Sequence, residues 1–126
     1  MAKVIAPSMK DTVYAGAAGN LSVAFGEVTL KAAAAGTEVH VLELPIGLKI
    51  IGVRVATAGL GAGVKVDIKL GDAVIAADVD VAAASSVVKP VQPVYLTEKT
   101  VLVAVTKGGV ATGTVAVMPE YVSVGY

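Results

Sequence analysis

Apolar and polar residues alternate along most of the chain, with Gly and Pro at the breaks. The clearest stretch is Val64–Leu70, in which every second residue is apolar and the residues between are Lys, Asp and Lys. A period of two is typical of a β-strand with one buried face. Gly71-Asp72 follows directly and predicts a tight hairpin turn into a second strand over residues 73–81.

The same alternation predicts several further short strands, at residues 21–25, 28–30, 37–44, 48–57, 94–96, 101–105 and 111–118. Residues 107–109 are predicted to form a second hairpin turn, and Pro119 to break the ladder before a last extended piece. Two segments are predicted as loops: 31–36, too short for a stable helix despite four Ala, and 82–93, with two prolines. This pattern predicts an all-β fold, an antiparallel two-sheet sandwich of about eight strands, jelly-roll or Ig-like.

The first 19 residues differ from the rest. Pro7 opposes an early strand or helix, and the Ala- and Gly-rich stretch 14–20 is typical of a flexible joint. We therefore predict an extended N-terminal arm over residues 1–19 and a sandwich domain over 20–126. A disordered terminus is the alternative, but the arm carries enough apolar side chains to bind a groove or an edge strand.

Composition narrows the function classes. Hydrophobic residues make up 56% of the 126, mostly Val and Ala, and ten basic residues balance ten acidic ones. Lys and Arg are spread singly, which argues against nucleic-acid binding. The longest uncharged run contains Gly and Asn and is too short to span a membrane. The mean hydropathy of +0.80 therefore indicates buried sheets or interfaces, and zero net charge suits a protein that lives in an assembly.

Few residues offer chemistry. The chain has no Cys and one His, His40. Glu38 lies two residues before His40 and is predicted to share its strand face. The glycine loop 59–63 precedes a strand rather than the helix that a phosphate site needs. Asp72, Asp78 and Asp80 lack the spacing of a calcium loop, so a solvated strand face is the preferred interpretation. We predict no enzyme activity, no catalytic or metal site and no cofactor.

A series of short motifs runs through residues 44–126. A Leu-Pro-x-Gly-x-x-Ile-x-Gly-Val strand covers Leu44–Val53, a Leu-Gly-Ala-Gly loop covers Leu60–Gly63, and the Gly71-Asp72 turn follows. The segments 101–106, 113–115 and 121–122 continue the pattern. Over these two-thirds of its length the chain resembles small head proteins of tailed bacteriophages.

This resemblance implies a capsid decoration, or cement, protein with a jelly-roll-like sandwich. Such a protein is made in the host cytoplasm, binds the exterior of the expanded capsid in the virion, and bridges neighbouring copies of the major capsid protein. It also implies contacts with copies of itself, as a homo-oligomer. The expected contact residues lie at the two ends of the chain: Val4, Ile5, Pro7, Met9, Tyr14, Tyr121, Val122 and Tyr126. For Tyr121 and Val122 the alternative is that they belong to the last core strand.

Two other functions fit the pattern. A different phage shell or tail subunit is one, although shell proteins of the common tailed-phage fold are far longer and contain a long helix. The other is a sugar- or surface-binding sandwich, such as a receptor-binding module. Sugar sites generally use flat aromatic platforms, whereas this chain has no Trp and four scattered Tyr.

Overall fold

Two β-sheets pack face to face in the computed structural model, which describes residues 3–16 and 19–124. The strands are β1 (Lys3–Ile5), β2 (Leu21–Val23), β3 (Gly26–Ala33), β4 (Glu38–Leu44), β5 (Leu48–Thr57), β6 (Lys65–Leu70), β7 (Ala73–Asp80), β8 (Ser85–Tyr95), β9 (Thr100–Lys107) and β10 (Ala111–Ser123). A short 3₁₀ helix spans Pro7–Lys10. Among the described residues, no helix has the length and apolar content needed to cross a membrane.

The first sheet has the order β1-β4-β9-β6-β7, and the second has the order β2-β10-β5-β8, with β3 also paired to β10. All neighbours are antiparallel except β1 and β4. The predicted two-sheet sandwich is confirmed, with ten strands in the described residues rather than about eight. From β3 onward every connection crosses between the sheets, except the predicted β6–β7 hairpin. Residues 107–109 therefore form a crossing and not the hairpin turn that we predicted.

The core lies between the sheets and is built by the alternation seen in the sequence. In and just before β6, Val64, Val66 and Ile68 are at most 1% exposed, while Lys65 is exposed. Such buried aliphatic side chains each contribute roughly 1.5–3 kcal/mol. The largest fully buried side chain is Tyr121, on the central strand β10.

Prolines account for two wrong predictions. The predicted loop 82–93 contains most of β8, which keeps Pro90 and Pro93 because it is the outer strand of its sheet. Pro119 lies inside β10 rather than ending it. The Pro119 carbonyl accepts the Ala24 N–H, so the Pro119 nitrogen faces the same way. Ala24 lies between β2 and β3, so the missing N–H of Pro119 removes no bond from either strand pairing. Part of the other predicted loop, residues 31–33, extends β3.

Glycines allow two of the crossings to touch backbone to backbone. Gly108, at φ +86°, lies so close to the Gly63 carbonyl that an added Cβ would meet its oxygen at 2.2 Å. Gly113, at φ +138°, approaches the Gly59 carbonyl in the same way. The glycine loop 59–63 thus packs the β5–β6 connection against the β9–β10 connection and the first residues of β10.

Residues 3–16 lie against the sandwich. β1 adds to β4, and the buried Ser8 donates its Oγ–H to the Val41 carbonyl at 2.5 Å. The Glu27 N–H in turn donates to Ser8 Oγ at 3.3 Å, so one hydroxyl links the segment to both β3 and β4. The division between an arm over 1–19 and a domain over 20–126 stays a prediction.

Candidate interaction surface

The outer face of the β1-β4-β9-β6-β7 sheet is charged. Directly paired residues of neighbouring strands point to the same side, and on this face the pairs include Lys3 with Glu38 and Lys65 with Asp80. The titratable side chains placed there by register are Lys3, Glu38, His40, Glu43, Lys65, Asp67, Lys69, Asp80 and Lys107. Val101, Val103 and Val105 of β9 share the face with them, as do Ile5 and Val74. The face is thus mainly charged, with a strip of valines along its central strand.

Lys107 is the centre of an ion-pair cluster on that face. Its Nζ lies 3.0 Å from Asp67 Oδ1 and 2.5 Å from Asp78 Oδ1, and Asp67 Oδ1 accepts the Asp78 N–H. The hydrogen bond from Lys107 lowers the pKa of Asp78, and the same bond raises the pKa of Lys107. Asp80 accepts the Ala82 N–H through Oδ1. Asp78 and Asp80 thus have partners within the chain.

His40 lies on the same face, with Nε2 4.0 Å from Glu38 Oε1. Partial burial and the charge of Lys3 lower the pKa of His40, against the opposing effect of Glu38. Across residues 3–16 and 19–124, no three His, Cys, Asp or Glu side chains come together as a metal site.

The outer face of the β2-β10-β5-β8 sheet is very different, and we call it the apolar face. Its register places Val23 beside Glu120, Gly52 and Pro90 in one row, and Met118 beside Arg54 and Val88 in the next. The aliphatic and aromatic side chains on this face are Leu21, Val23, Phe25, Ala56, Val88, Tyr95, Ala116, Met118 and Val122. Several are about half exposed or more: 62% for Leu21, 57% for Phe25, 49% for Val23 and 47% for Val88.

Four charged side chains interrupt the apolar face. Lys49 lies in the row with Val122 and Tyr95, and Glu27 lies beside Ala116. Arg54 and Glu120 form an ion pair. Arg54 donates from Nη2 to Glu120 Oε2 at 3.2 Å. Glu120 lies over Gly52, where an added Cβ would meet its carboxylate at 3.0 Å. Because the carboxylate fills the space above a residue without a side chain, the pair lies close to the sheet.

β2 is the part of this surface that the sequence reasoning missed. The alternation at residues 21–25 was visible, but Leu21, Val23 and Phe25 point outward, and Ser22 shares the inner side with Tyr121. The inner side is crowded there, since an added Cβ on Gly16 would meet Ser22 Oγ at 2.5 Å. The small residues Ser22 and Ala24 were the available signal.

The predicted N-terminal contact residues lie in the segment that covers the sandwich edge. Val4 packs partly on the core, whereas Ile5 is 54% and Tyr14 77% exposed. Pro7 is exposed and Met9 half-buried. These side chains do not form one patch, because Ile5 lies on the charged sheet face and Tyr14 beside β2.

The predicted C-terminal residues separate from one another. Tyr121 is 2% exposed and donates its hydroxyl to the Tyr14 carbonyl at 2.6 Å, and burial raises its pKa. Its side chain therefore belongs to the core, as the alternative interpretation held. Val122 is half-buried on the apolar face, and Tyr126 lies outside the described residues.

Comparison with known proteins relates the fold to phage capsids. No protein-family model and no curated protein matches the sequence. A chain from the capsid of Ralstonia phage GP4 matches with a TM-score of 0.76 at 19% identity, covering 97% of this chain and 98% of that chain. A chain from the cyanophage Pam1 capsid asymmetric unit gives 0.71 at 19% identity, over 91% and 99% of the two chains.

A third match comes from the acidic stable capsid of Helicobacter pylori bacteriophage KHP30, with a TM-score of 0.61 at 16% identity over 86% of this chain and 92% of that one. In all three cases the match runs over nearly the whole of both chains. The two-sheet sandwich of this chain is therefore a fold that occurs in phage capsid structures.

Proposed function

We propose that this chain is a virion structural protein, a decoration protein that binds the outer surface of a phage head and bridges neighbouring capsid subunits. The observation that carries the proposal is the end-to-end match to a chain of the Ralstonia phage GP4 capsid, at 97% and 98% coverage. The matched chain is thus close to this one in length. The described residues hold no long helix, whereas the common tailed-phage shell protein contains one.

The open edge of β1 is the contact that we propose for the major capsid protein. β1 is the outermost strand of its sheet and pairs only with β4 among the described residues. The Ala6 N–H donates to the His40 carbonyl, so the alternating backbone turns the Ile5 N–H and C=O toward the open edge. An extended segment of a shell subunit could add there as a further strand, beside the exposed Ile5 side chain.

Stabilisation of the head then follows because binding of the protein is coupled to assembly of the shell. A protein that binds assembled subunits but not dissociated ones shifts the equilibrium toward the assembled state. Contacts that are weak singly become strong together, because the lattice holds the partners at a fixed spacing. No bond is made or broken, so the proposed role needs no catalytic group.

The test is co-sedimentation of the purified protein with expanded heads that lack it. We expect saturable binding by the natural chain and by Ile5→Val, which keeps the edge N–H. Ile5→Pro removes that N–H without touching the bond from Ala6 to β4, and we expect it to weaken binding at least about tenfold. Unfolding curves check that both variants fold.

Absence of binding to any head preparation would overturn the decoration role, and glycan binding would then be tested next. Equal binding of Ile5→Pro and Ile5→Val would overturn strand addition at β1 while leaving the decoration role in place.

A further inference from the structure

We propose that two copies of this chain form a twofold dimer through the apolar face. A soluble monomer rarely leaves a contiguous apolar patch larger than a few hundred Å² exposed. Here the register places nine titratable side chains on one outer sheet face, beside Ile5 and Val74, and only Glu27, Lys49, Arg54 and Glu120 on the other. That other face carries Leu21, Val23, Phe25 and Val88 at about half exposure or more. The contrast between the two faces indicates that the apolar one is covered in use.

The arrangement of the rows on this face makes it complementary to itself. A twofold axis parallel to the strands, between β10 and β5, exchanges β2 with β8 and β10 with β5. In the row Val23-Glu120-Gly52-Pro90, Val23 then meets Pro90 of the second copy and Glu120 meets Gly52. The pairing of β10 with β2 and with β3 keeps one register, which sets Phe25 opposite Met118, so in the next row Phe25 meets Val88 of the second copy. Apolar side chains thus face apolar ones at both edges of the sheet.

Charge favours this axis over one that runs across the strands at the Arg54 row. An axis across the strands at the Arg54 row would place Arg54 against Arg54 of the second copy, which costs energy. The axis along the strands instead places Arg54 over Met118 of the second copy. In that copy, Met118 is paired with its own Arg54 in the same row. The axis along the strands also places Lys49 over Val122 of the second copy. The same axis brings Glu120 of one copy over Gly52 of the other copy. Arg54 lies beside that Gly52, so the two ion pairs lie side by side with opposite charges in contact.

The area is sufficient for a modest dimer. Three strands and the outermost segment 21–27, which holds β2 and the start of β3, lie about 4.8 Å apart and run together over about seven residues. They give a face of about 19 by 24 Å, or roughly 450 Å² in projection. Two copies cover roughly 900 Å² in projection and more in accessible area, close to the roughly 1,000 Å² that a specific interface needs. Aligned packing of sheets is a common arrangement, with their strands about 30° apart.

The experiment measures the mass of the full chain in solution by sedimentation velocity over a range of concentrations. It uses the protein alone, so its result does not depend on the decoration role. We expect a reversible dimer at twice the 12.5 kDa chain mass. Phe25→Lys alone and Val88→Glu alone each place an unpaired charge in the contact, and we expect each to raise the dissociation constant at least about tenfold.

The double variant tests the register of the two copies. Phe25, between β2 and β3, and Val88, on β8, lie at opposite edges of one sheet, so the introduced charges cannot pair within a chain. Across the proposed axis they meet, and we expect Phe25→Lys with Val88→Glu to restore the dimer. Val74→Glu, at a 54% exposed position on the other sheet, is the matched control and should dimerise normally.

A natural chain that stays monomeric at all concentrations would overturn the proposal. The proposal would also be overturned if the Val74→Glu variant dissociates while the Phe25→Lys and Val88→Glu variants stay dimeric. A double variant that remains monomeric would overturn the proposed axis. Circular dichroism and unfolding curves for every variant separate loss of the dimer from loss of the fold.

Discussion

Lys107 shows how a single side chain organises the charged face. It binds the carboxylates of Asp67 and Asp78 on two neighbouring strands, β6 and β7. Asp78 itself has a left-handed backbone, with φ +56°, and its N–H is satisfied by Asp67. The ion pairs thus hold an irregular position of β7 in register with β6.

The pKa of Asp78 gives a pH test of this cluster. The hydrogen bond from Lys107 lowers that pKa below 3.8, so Lys107→Met should raise it back toward 3.8 in an NMR titration. A lowered carboxyl pKa stabilises the fold above the unfolded value, and this contribution is lost as the pH falls through the folded pKa. Lys107 has a raised pKa, so its contribution is present below pH 10.5 and is lost as the pH rises through the folded value.

The natural chain should therefore exceed the Lys107→Met variant in stability between these limits, by a small margin because the pairs face solvent. Identical titration of Asp78 in both proteins would contradict the assignment. Glu98→Gln, which changes an exposed charge at a site away from the cluster, is a suitable control variant.

Tyr121 shows the limit of residue-by-residue sequence reasoning. A tyrosine near the end of the chain suggested a contact with a partner, yet its ring fills the core and its hydroxyl bonds to the Tyr14 carbonyl. The partner of that hydroxyl lies 107 residues away in sequence. A hydrogen bond over such a separation is fixed by tertiary packing and leaves no local pattern to recognise.

Connections between the sheets depend on glycine where two backbones meet. We expect Gly108→Ala to destabilise the fold by about 3–5 kcal/mol, because φ +86° is strained for a side chain and a Cβ would meet the Gly63 oxygen at 2.2 Å. Gly36→Ala has a similar φ of +90° but nothing within 4 Å of the added atom. It should cost only about 1–2 kcal/mol. Chemical denaturation of both variants measures the difference.

Equal losses in the two variants would mean that the backbone angle alone matters and that the close contact between the crossings does not. The comparison is matched because both glycines lie in connections between sheets. A larger loss for Gly108→Ala is the expected result.

Strands with strict alternation were predictable, and strands shaped by their neighbours were not. β6 and the β6–β7 hairpin follow from residues 64–72 alone, since one face is buried and the other solvated. β8 was missed because its prolines oppose a strand, but the edge of a sheet tolerates them. β2 was predicted as a strand within residues 21–25, but its large side chains point outward because the N-terminal segment covers its inner side and leaves room only for Ser22 and Ala24.

The whole molecule presents three surfaces with different properties. One sheet face is mainly charged, the other is mainly apolar, and the Ile5 N–H and C=O at the edge of β1 have no strand partner in residues 3–16 and 19–124. In the account proposed here, the apolar face joins two copies and each copy contributes one β1 edge. A dimer with two such edges would bind two shell subunits at once, which is what bridging requires.

The most direct test is the heat stability of expanded phage heads that bind the protein, prepared without it and then saturated with it. Release of packaged DNA on heating reports when the shell opens. We predict that the opening temperature rises with occupancy and levels off at saturation, because the protein binds only the assembled shell. Saturated heads that open at the same temperature as bare heads would contradict the account.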